Sequence, residues 1–486
     1  MDNRNRISSF LVALMVALGL ALPLAGCGQT QGSAQSTTST QEAQSTTSAQ
    51  AETSASSASS DAETKEAAAA LDFYKPSGDY KLEQVVVLSR HNIRAPLSTT
   101  GSALDQATPH TWIDWTANAS ELTVRGGTLE TMNGEYVRKW LESEGLFPEN
   151  YRPESDAVRF YANGKQRTIA TAQYFSSGLL PVANIDIEVH ADYDKMDPVF
   201  SPSFTFMSDA YHDAALEQMN SYNGATGMDD VCTYLADSYA LVEDVVDYKD
   251  SDAYKSGEIK DLDTKDTKFT LEQGKEPAVD GSLKTACQLA DALVLQYYES
   301  PDALAAAFGH ELTDDQWKLV SQSKDAYVDI LYTTPLVAVN IAHPLIEEIG
   351  NEMDAQGRVF TFLCGHDSNL ASVLAALDVE EYELPGAIEV KTPIGSKLLF
   401  ERWTNANGEE FGRVRLLYQS VDQLRGGTML AGTQAPMSVD LSLKGLAKNA
   451  DGLYAYSDLR ARIADKVAEY DALVQQYGEA ELAQAA

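Results

Sequence analysis

The chain has 486 residues, of which 44% are hydrophobic and 22% are charged. This composition is typical of a folded protein and excludes a wholly disordered chain, a collagen and a multi-span membrane protein. Asp and Glu total 72 against 36 Lys and Arg, which gives a formal charge of −36 and argues against nucleic acid as a partner. A basic cluster in such a chain therefore needs a reason.

The first 26 residues have the pattern of a targeting signal. Arg4 and Arg6 precede an apolar stretch over residues 7–24, which is too short for a typical membrane span. The Leu-Ala-Gly-Cys run that ends at Cys27 resembles the bacterial lipobox, in which the signal is cut before the cysteine and the thiol is acylated. We expect a lipoprotein signal peptide over 1–26 and an extracytoplasmic protein held on the bacterial cell membrane only through lipid. The alternative is an ordinary secretory cleavage site that contains a cysteine.

A polar, low-complexity segment follows over residues 27–70. It consists almost entirely of Ser, Thr, Ala, Gln and Glu and has no aromatic residue. Such a composition buries too little apolar surface to offset the entropy of ordering the chain. We predict a disordered linker between the lipid anchor and the folded part.

The folded part begins near residue 71 and reads as an α/β domain. Continuous apolar runs of strand length occur at 84–89, 158–162 and 359–364, separated by stretches with helical spacing, which predicts strands of a parallel sheet. Further strands are predicted at 397–403 and 413–418.

The middle of the chain lacks strong strand patterns. Residues 205–335 are rich in Ala, Leu, Asp, Lys and Tyr, which predicts a mostly helical insertion that caps the α/β domain. The α/β domain would then be built from two parts, 71–204 and 336–486. Apolar residues spaced by three and four over 459–473 predict a closing helix.

The basic cluster lies where the first predicted strand ends. Arg90 and Arg94 flank His91 there, and ligands bind at the carboxyl ends of the strands of open parallel sheets. Guanidinium groups match phosphate oxygens and stay charged, so the two arginines form an anion clamp. Two neighbouring cations hold the imidazole in its neutral, nucleophilic form. A buried structural histidine beside solvated arginines is the alternative.

Two other predicted strands end in groups of complementary chemistry. His366 and Asp367 follow the strand at 359–364, where the first can donate to a phosphate oxygen and the second can act as a general acid. A phosphate nearby would push the carboxyl towards its protonated form. Arg167 follows the strand at 158–162 and adds a third guanidinium group.

These motifs carry a resemblance to a known family. The Arg-His pair at 90–91 with Arg94, joined to the His-Asp pair at 366–367, resembles the histidine acid phosphatases, branch 2 of the histidine phosphatase superfamily. The similarity runs from about residue 80 to residue 434, and within the family it is closer to bacterial glucose-1-phosphatases than to phytases. The resemblance implies a phosphoglycerate-mutase-like α/β fold with an inserted helical cap and a phosphate monoester as substrate.

The resemblance also implies a mechanism without a metal or another cofactor. Its site residues carry over as the nucleophile His91, the general acid Asp367, and the phosphate-binding residues Arg90, Arg94, Arg167 and His366. The reaction would pass through a phosphohistidine, with the arginines supplying the positive charge. Because the acid must be protonated while the histidine still attacks, we expect an acidic pH optimum.

Two positions bear on the substrate by the same resemblance. Asn92 matches the asparagine of glucose-1-phosphatases where phytases usually have glycine, and Glu276 matches a glutamate that contacts the sugar. A carboxylate there would accept hydrogen bonds from hydroxyl groups and repel additional phosphates. A sugar phosphate such as glucose 1-phosphate is therefore the expected substrate. A phytase or a broad-specificity acid phosphatase stays the alternative, followed by a lipid-anchored receptor for phosphate esters, which would need neither His91 nor Asp367.

Three cysteines lie in the folded part, at Cys232, Cys287 and Cys364. Three cysteines allow at most one bridge among them, so no disulfide framework is implied. We expect all three to be small buried side chains, and the stability of the fold to come from packing.

Overall fold

The computed structural model describes residues 74–98, 102–154, 156–262, 265–431 and 434–485. The predicted signal peptide, the linker and Cys27 lie outside these residues, so they stay predictions. Among the helices that the described residues form, none is both long and apolar enough to cross a membrane.

Helices and strands alternate in the first and last parts of the chain. The strands are β1 Tyr80–Arg90, β2 Val158–Ala162, β3 Lys268–Thr270, β4 Ala278–Asp280, β5 Phe360–Gly365, β6 Lys397–Asn405, β7 Glu410–Tyr418, β8 Met437–Asp440 and β9 Tyr454–Ala455. The helices are α1 Ala103–Gln106, α2 Val124–Ser143, α3 Gln166–Leu179, α4 Asp209–Asn220, α5 Met228–Tyr234, α6 Ala236–Val245, α7 Asp252–Ser256, α8 Ser282–Glu299, α9 Ala303–Ala306, α10 Asp314–Tyr332, α11 Pro335–Asp354, α12 Asp367–Ala376, α13 Val421–Gly426 and α14 Tyr456–Ala485.

The main sheet has the strand order β2-β5-β1-β6-β7-β8, with β9 paired to β7. Strands β2, β5 and β1 are parallel, whereas β6, β7 and β8 are antiparallel to their neighbours. The predicted α/β fold class is confirmed, and the sheet is mixed rather than wholly parallel. The physical reason is the short β6–β7 connection, since such a connection joins antiparallel strands whereas parallel strands need a long crossover.

Strand β1 is covered on both faces. Alternate side chains of residues 85–88 point into two separate apolar cores, as the two-residue period of a strand requires. Val86 and Leu88 share one core with Leu370 of α12, and Val85 and Val87 share the other with Phe175 of α3. This double burial explains why the strand has a continuous apolar sequence.

The interval predicted to be a helical cap contains α4 to α10 and packs around an apolar core to which neighbouring parts of the chain also contribute. Leu289 of α8 and Trp317 of α10 are buried in that core. The interval also contains the hairpin β3–β4, which the sequence analysis did not predict. The cap boundaries at 205 and 335 stay a prediction, although α11 begins at Pro335.

The predicted closing helix is α14, which begins at Tyr456 and contains the apolar positions predicted over 459–473. Leu459 and Ile463 are buried against the core that includes α11 and α12. Further along, the Tyr470 ring stacks on His343, with 3.6 Å between the ring centroids. The predicted packing of this helix is therefore present.

The cysteines of the described residues are thiols rather than half-cystines. Cys232 and Cys364 are buried as expected, whereas Cys287 on α8 is half-buried. Burial raises the pKa of the Cys287 thiol well above its ordinary value, so this side chain is uncharged.

Candidate active site

The parallel pairing of β1 with β5 brings the two sequence motifs together. Arg90 pairs with Gly365 at the end of the two strands, so the following residues, His91 and His366, emerge side by side. Their ring centroids are 5.4 Å apart. Strand β2 pairs with the other edge of β5 and brings Asn163 to the same end of the sheet. The predicted site lies at the carboxyl ends of the parallel strands.

His91 is held by backbone and side-chain bonds. Its N–H donates to the Gly365 carbonyl at 3.1 Å, and its carbonyl accepts from the Gly395 N–H at 3.1 Å. The ring Nδ1 lies 2.9 Å from the Asn92 carbonyl oxygen. Because a carbonyl oxygen only accepts, Nδ1 carries the proton and Nε2 carries the lone pair.

The environment of His91 keeps the ring neutral. Burial lowers the pKa of His91 well below its ordinary value, and the positive charges around it, led by Arg167, lower that pKa further. Arg90 and Arg94 act in the same direction, as the sequence predicted. The result is an unprotonated Nε2 available as a nucleophile in acidic solution.

Arg90 is fixed by a buried network. Its Nη1 donates to Glu389 Oε1 at 2.6 Å and to the Thr392 carbonyl at 2.6 Å. Lys324 of α10 donates to the same carboxylate, and the Tyr298 hydroxyl donates to Glu389 Oε2 at 3.1 Å. Sequence reasoning missed this network because Glu389 lies in a loop with no recognisable pattern.

The other two arginines contact side chains from other elements, and Arg94 Nη1 also donates to the Ala95 carbonyl at 3.2 Å. Arg94 Nη2 donates to Asp291 Oδ2 at 2.9 Å, and Arg167 Nη2 lies 3.3 Å from His366 Nδ1. The Nε atoms of Arg90, Arg94 and Arg167 are buried and have no hydrogen-bond acceptor among the described residues. Buried donors without acceptors are unfavourable, and a bound anion would satisfy them.

Asp367 is the first residue of α12 and faces Arg90. Its Oδ2 lies 3.3 Å from Arg90 Nη2, and its Oδ1 accepts from the Ser368 N–H at 2.9 Å. Burial raises the pKa of the Asp367 carboxyl, but the charges of Arg90, Lys324 and Arg94 outweigh burial and hold that pKa well below its ordinary value. These charges keep the carboxyl ionised, and its expected protonation requires a bound anion that offsets them.

His366 precedes α12 and caps it. Its N–H donates to Asn369 Oδ1 at 2.9 Å, and a Cβ on the neighbouring Gly365 would come within 2.4 Å of that oxygen. Glycine is therefore favoured at 365 by this capping contact. Burial and the Arg167 charge lower the pKa of His366 well below its ordinary value, so its ring is also neutral.

Comparison with known proteins identifies the family that has this arrangement. The model of the histidine phosphatase superfamily, branch 2, matches residues 81–419. The chain belongs to this superfamily. Glucose-1-phosphatase of Salmonella typhimurium is 40% identical over 383 residues, which cover 78% of this chain and 90% of the relative. Phytase AppA of Escherichia coli is 29% identical over 396 residues, which cover 78% and 91%.

Solved structures agree with this assignment. The apo form of Hafnia alvei phytase superposes with a TM-score of 0.73 at 27% identity and covers 80% of this chain and 98% of that one. Citrobacter braakii phytase gives a TM-score of 0.71 at 26% identity with the same coverage. The protein is thus a histidine acid phosphatase in fold and family.

The two positions expected to distinguish substrates within the superfamily lie at different depths. Asn92 is fully buried below the cleft, where its Nδ2 donates to Glu130 Oε1 at 2.8 Å and its Oδ1 accepts from the Ile93 N–H at 2.8 Å. Its side chain is therefore hydrogen-bonded inside the protein, and its expected part in substrate selection stays a prediction.

Glu276 lies in the loop between β3 and β4 and is exposed. Nearby protein atoms partly desolvate its carboxylate and raise the pKa of Glu276, whereas the positive charges of Lys165 and Arg167 lower that pKa. The role expected for Glu276 in contacting the sugar stays a prediction.

Glu130 links Asn92 to a second buried residue. Its Oε1 also accepts from Lys397 Nζ at 2.9 Å, and both residues are buried. Within the described part of the chain, no group of three or more His, Cys, Asp or Glu side chains is arranged to hold a metal ion.

Proposed function

We propose that the protein hydrolyses a sugar phosphate such as glucose 1-phosphate through a phosphohistidine on His91. One observation carries the proposal: three buried guanidinium Nε donors, for which the described part of the chain offers no acceptor, lie at the same strand ends as a neutral imidazole whose Nε2 holds a lone pair. Such a site attracts an anion and supplies a nucleophile. The glucose-1-phosphatases of Salmonella typhimurium and Providencia rettgeri, at 40% and 37% identity, support the substrate class.

In the first step, His91 Nε2 attacks phosphorus and the ester P–O bond breaks. The guanidinium groups and His366 hold the phosphoryl oxygens, on which negative charge is spread in the transition state. Asp367 gives its proton to the leaving sugar oxygen. The proton stays on His91 Nδ1, which donates it in a hydrogen bond to the Asn92 carbonyl, so the ring becomes cationic and its charge offsets that of the phosphoryl group.

In the second step, water attacks phosphorus and the N–P bond breaks. The Asp367 carboxylate takes a proton from the water, and His91 is released as a neutral imidazole. Phosphate then leaves. The same carboxyl therefore gives and takes one proton in each turnover.

The carboxylates near the arginines favour a substrate with one phosphate. Glu276 on the β3–β4 loop and Asp291 on α8 both belong to the predicted cap. Carboxylates accept hydrogen bonds from sugar hydroxyls and repel further phosphate groups, which selects against inositol hexakisphosphate. Asn92 acts indirectly in this proposal, because its bonds to Glu130 and to the Ile93 N–H support the loop that carries the nucleophile.

The decisive experiment measures phosphate release at pH 4–6 from glucose 1-phosphate and from inositol hexakisphosphate. We expect His91→Ala to lower release at least about a thousandfold. Acid quenching would destroy the intermediate of the wild type, whereas alkaline quenching would preserve a phosphohistidine. A phosphoenzyme that survives acid but not alkali would contradict the nucleophile.

Substrate selection is tested by Glu276→Gln against Glu272→Gln, an exposed glutamate on the same loop. We expect Glu276→Gln alone to raise KM for glucose 1-phosphate and to lower the preference over inositol hexakisphosphate. Equal behaviour of the two variants, or a wild type that prefers inositol hexakisphosphate, would favour a phytase or a broad-specificity acid phosphatase.

We also propose that the protein is lipid-anchored outside the cytoplasm through Cys27. The apolar run before the Leu-Ala-Gly-Cys sequence and the polar segment after it support this location. Growth with a radioactive fatty acid should label the full chain and leave Cys27→Ala unlabelled. Label that persists in Cys27→Ala would overturn the anchor.

A further inference from the structure

Asn163 follows strand β2 and is fully buried at the edge of the site. Its Oδ1 accepts two backbone hydrogen bonds, from the N–H of Gly164 at 2.8 Å and from the N–H of Asp197 at 2.8 Å. Backbone N–H groups only donate, so these two bonds determine which end of the amide is oxygen. The orientation of the Asn163 side chain is therefore fixed by its surroundings.

The Asp197 segment, whose N–H is the second donor to Asn163 Oδ1, is itself held in place. The Asp197 carboxylate accepts from the Tyr161 hydroxyl at 2.8 Å and from the Val199 N–H at 2.9 Å. Asp197 is buried, so this segment has little freedom to turn its N–H away from Asn163.

The amide nitrogen of Asn163 consequently faces His366. The distance from Nδ2 to His366 Nε2 is 2.7 Å. An amide nitrogen donates and does not accept, so Nε2 must hold the lone pair of the ring. In a neutral imidazole the proton then resides on Nδ1.

This tautomer changes the meaning of the contact between His366 and Arg167. His366 Nδ1 and Arg167 Nη2 are 3.3 Å apart, and with the proton on Nδ1 both atoms are donors. Two donors cannot satisfy each other, whereas one anionic oxygen between them would accept from both. A phosphoryl oxygen between the two donors would relieve this unfavourable contact.

We infer that Asn163 is a positioning residue that holds His366 in the Nδ1–H tautomer, so that His366 and Arg167 offer two donors to one phosphoryl oxygen. The inference rests on the proposed function of the site. If Nε2 carried the proton instead, Nδ1 would direct a lone pair at the same oxygen, and phosphate binding would be weakened.

Asn163→Asp is a direct test because the side chain keeps its shape while the hydrogen bond to His366 must reverse its direction. One carboxylate oxygen still accepts from Gly164 and Asp197, and the other accepts from His366 instead of donating. His366 Nε2 must then carry a proton. The ring retains its Nδ1 proton only as a cation, whose charge Asp367 and the new carboxylate favour while Arg167, Arg94 and Lys165 oppose it.

The tautomer can be measured directly by two-bond ¹H–¹⁵N correlation spectra of the full chain. His366→Gln assigns the signal among the 7 histidines. We expect the Nδ1–H pattern in the wild type over pH 5–7, and in Asn163→Asp a ring that passes from imidazolium to the Nε2–H tautomer as pH rises. An Nε2–H pattern in the wild type would overturn the inference, and it would do so without reference to catalysis.

Binding of inorganic phosphate supplies the functional readout. In Asn163→Asp, inhibition by phosphate should weaken about tenfold or more as pH rises through the titration of His366, beyond any change in the wild type. Asn184→Asp, an exposed asparagine away from the site, adds the same charge and should behave like the wild type. A folded Asn163→Asp protein with the phosphate pH profile of the wild type would refute the role. A wild type that has the Nδ1–H pattern and binds phosphate but hydrolyses no phosphate ester would instead count against the proposed function and leave the tautomer inference standing.

Discussion

Arg94 and Asp291 form an ion pair of 2.9 Å between the loop after β1 and helix α8. Both side chains are largely buried, with 6% and 13% of their surfaces exposed. One of the three guanidinium groups of the site is therefore partly neutralised before any substrate binds. The net positive charge available to phosphate depends on this carboxylate.

Asp291→Asn should raise the affinity for inorganic phosphate by about fivefold to tenfold, since removal of a charge in a partly buried pair is worth about 1 kcal/mol. The same change should lower KM more for substrates with several phosphates than for a sugar monophosphate. Inhibition constants and KM values at pH 5 and fixed ionic strength would measure both effects.

Asp315→Asn provides the matched control, because this aspartate lies on the surface of α10 with 94% of its side chain exposed. Its loss changes the net charge of the protein by the same amount. If both variants bind phosphate equally, the effect comes from overall charge and the role assigned to Asp291 is wrong.

Asp367→Asn should lower kcat by about a hundredfold to ten-thousandfold for sugar phosphates, the range expected for the loss of a general acid. The loss should be much smaller for p-nitrophenyl phosphate, whose leaving group does not need a proton. A comparison of kcat for the two esters measures this difference. An equal loss for both would mean that Asp367 acts on binding or folding rather than on the leaving oxygen.

The pH dependence of kcat/KM should be asymmetric. His91 becomes cationic only below its lowered pKa, so activity should persist well below pH 6.5. Above about pH 6 a phosphate monoester loses its second proton, and the protonated fraction of Asp367 becomes very small, so activity should fall. Initial rates between pH 3 and pH 9 test this, and activity that rises steadily above neutral pH would contradict the assignment of the acid.

Glu389→Gln should destabilise the protein near neutral pH and much less in acid. Burial raises the pKa of Glu389, but Arg90 and Lys324 outweigh it and lower that pKa to about 2. A lowered carboxyl pKa stabilises the folded state above the unfolded pKa, and the contribution disappears as pH falls through the folded value. From the ordinary value of 4.5 this contribution is about 3 kcal/mol at pH 7.

Urea unfolding of wild type and Glu389→Gln at pH 7, 4 and 2.5 measures that contribution. The difference in unfolding free energy should decrease from pH 5 towards pH 2. A difference that is constant with pH would show that the carboxylate contributes through packing rather than through its charge.

The strands that carry the site were predictable because each has a continuous apolar sequence of strand length. The runs predicted at 84–89 and 158–162 match Tyr80–Arg90 and Val158–Ala162 closely. Each predicted run is followed by charged groups of the site. Parallel pairing of the strands brings these groups to one edge of the sheet, regardless of the structure of the chain between the strands. The β3–β4 hairpin was not predictable, since strands of three residues have too little periodicity.

Other parts of the site have no local signal. Asp291 looks like any polar residue of a helix, yet its partner Arg94 lies 197 positions away. Glu389 is 299 positions from Arg90, and its importance depends entirely on that contact. The burial of Asn92 likewise has no local signal in the sequence. It depends on the contact with Glu130, whose position is set by the packing of α2 on the sheet.

The position of β1 in the sheet has a consequence for the order of events during synthesis. This strand is made early, but its hydrogen-bonding neighbours β5 and β6 belong to the last third of the chain. Helix α14 follows these strands in the chain and contacts the region before α4 through Tyr470, whose hydroxyl lies 2.8 Å from Thr205 Oγ1. Contacts of such high sequence separation form late in folding. A nascent chain therefore lacks the phosphate site until β5 and the two residues after it, His366 and Asp367, have been made.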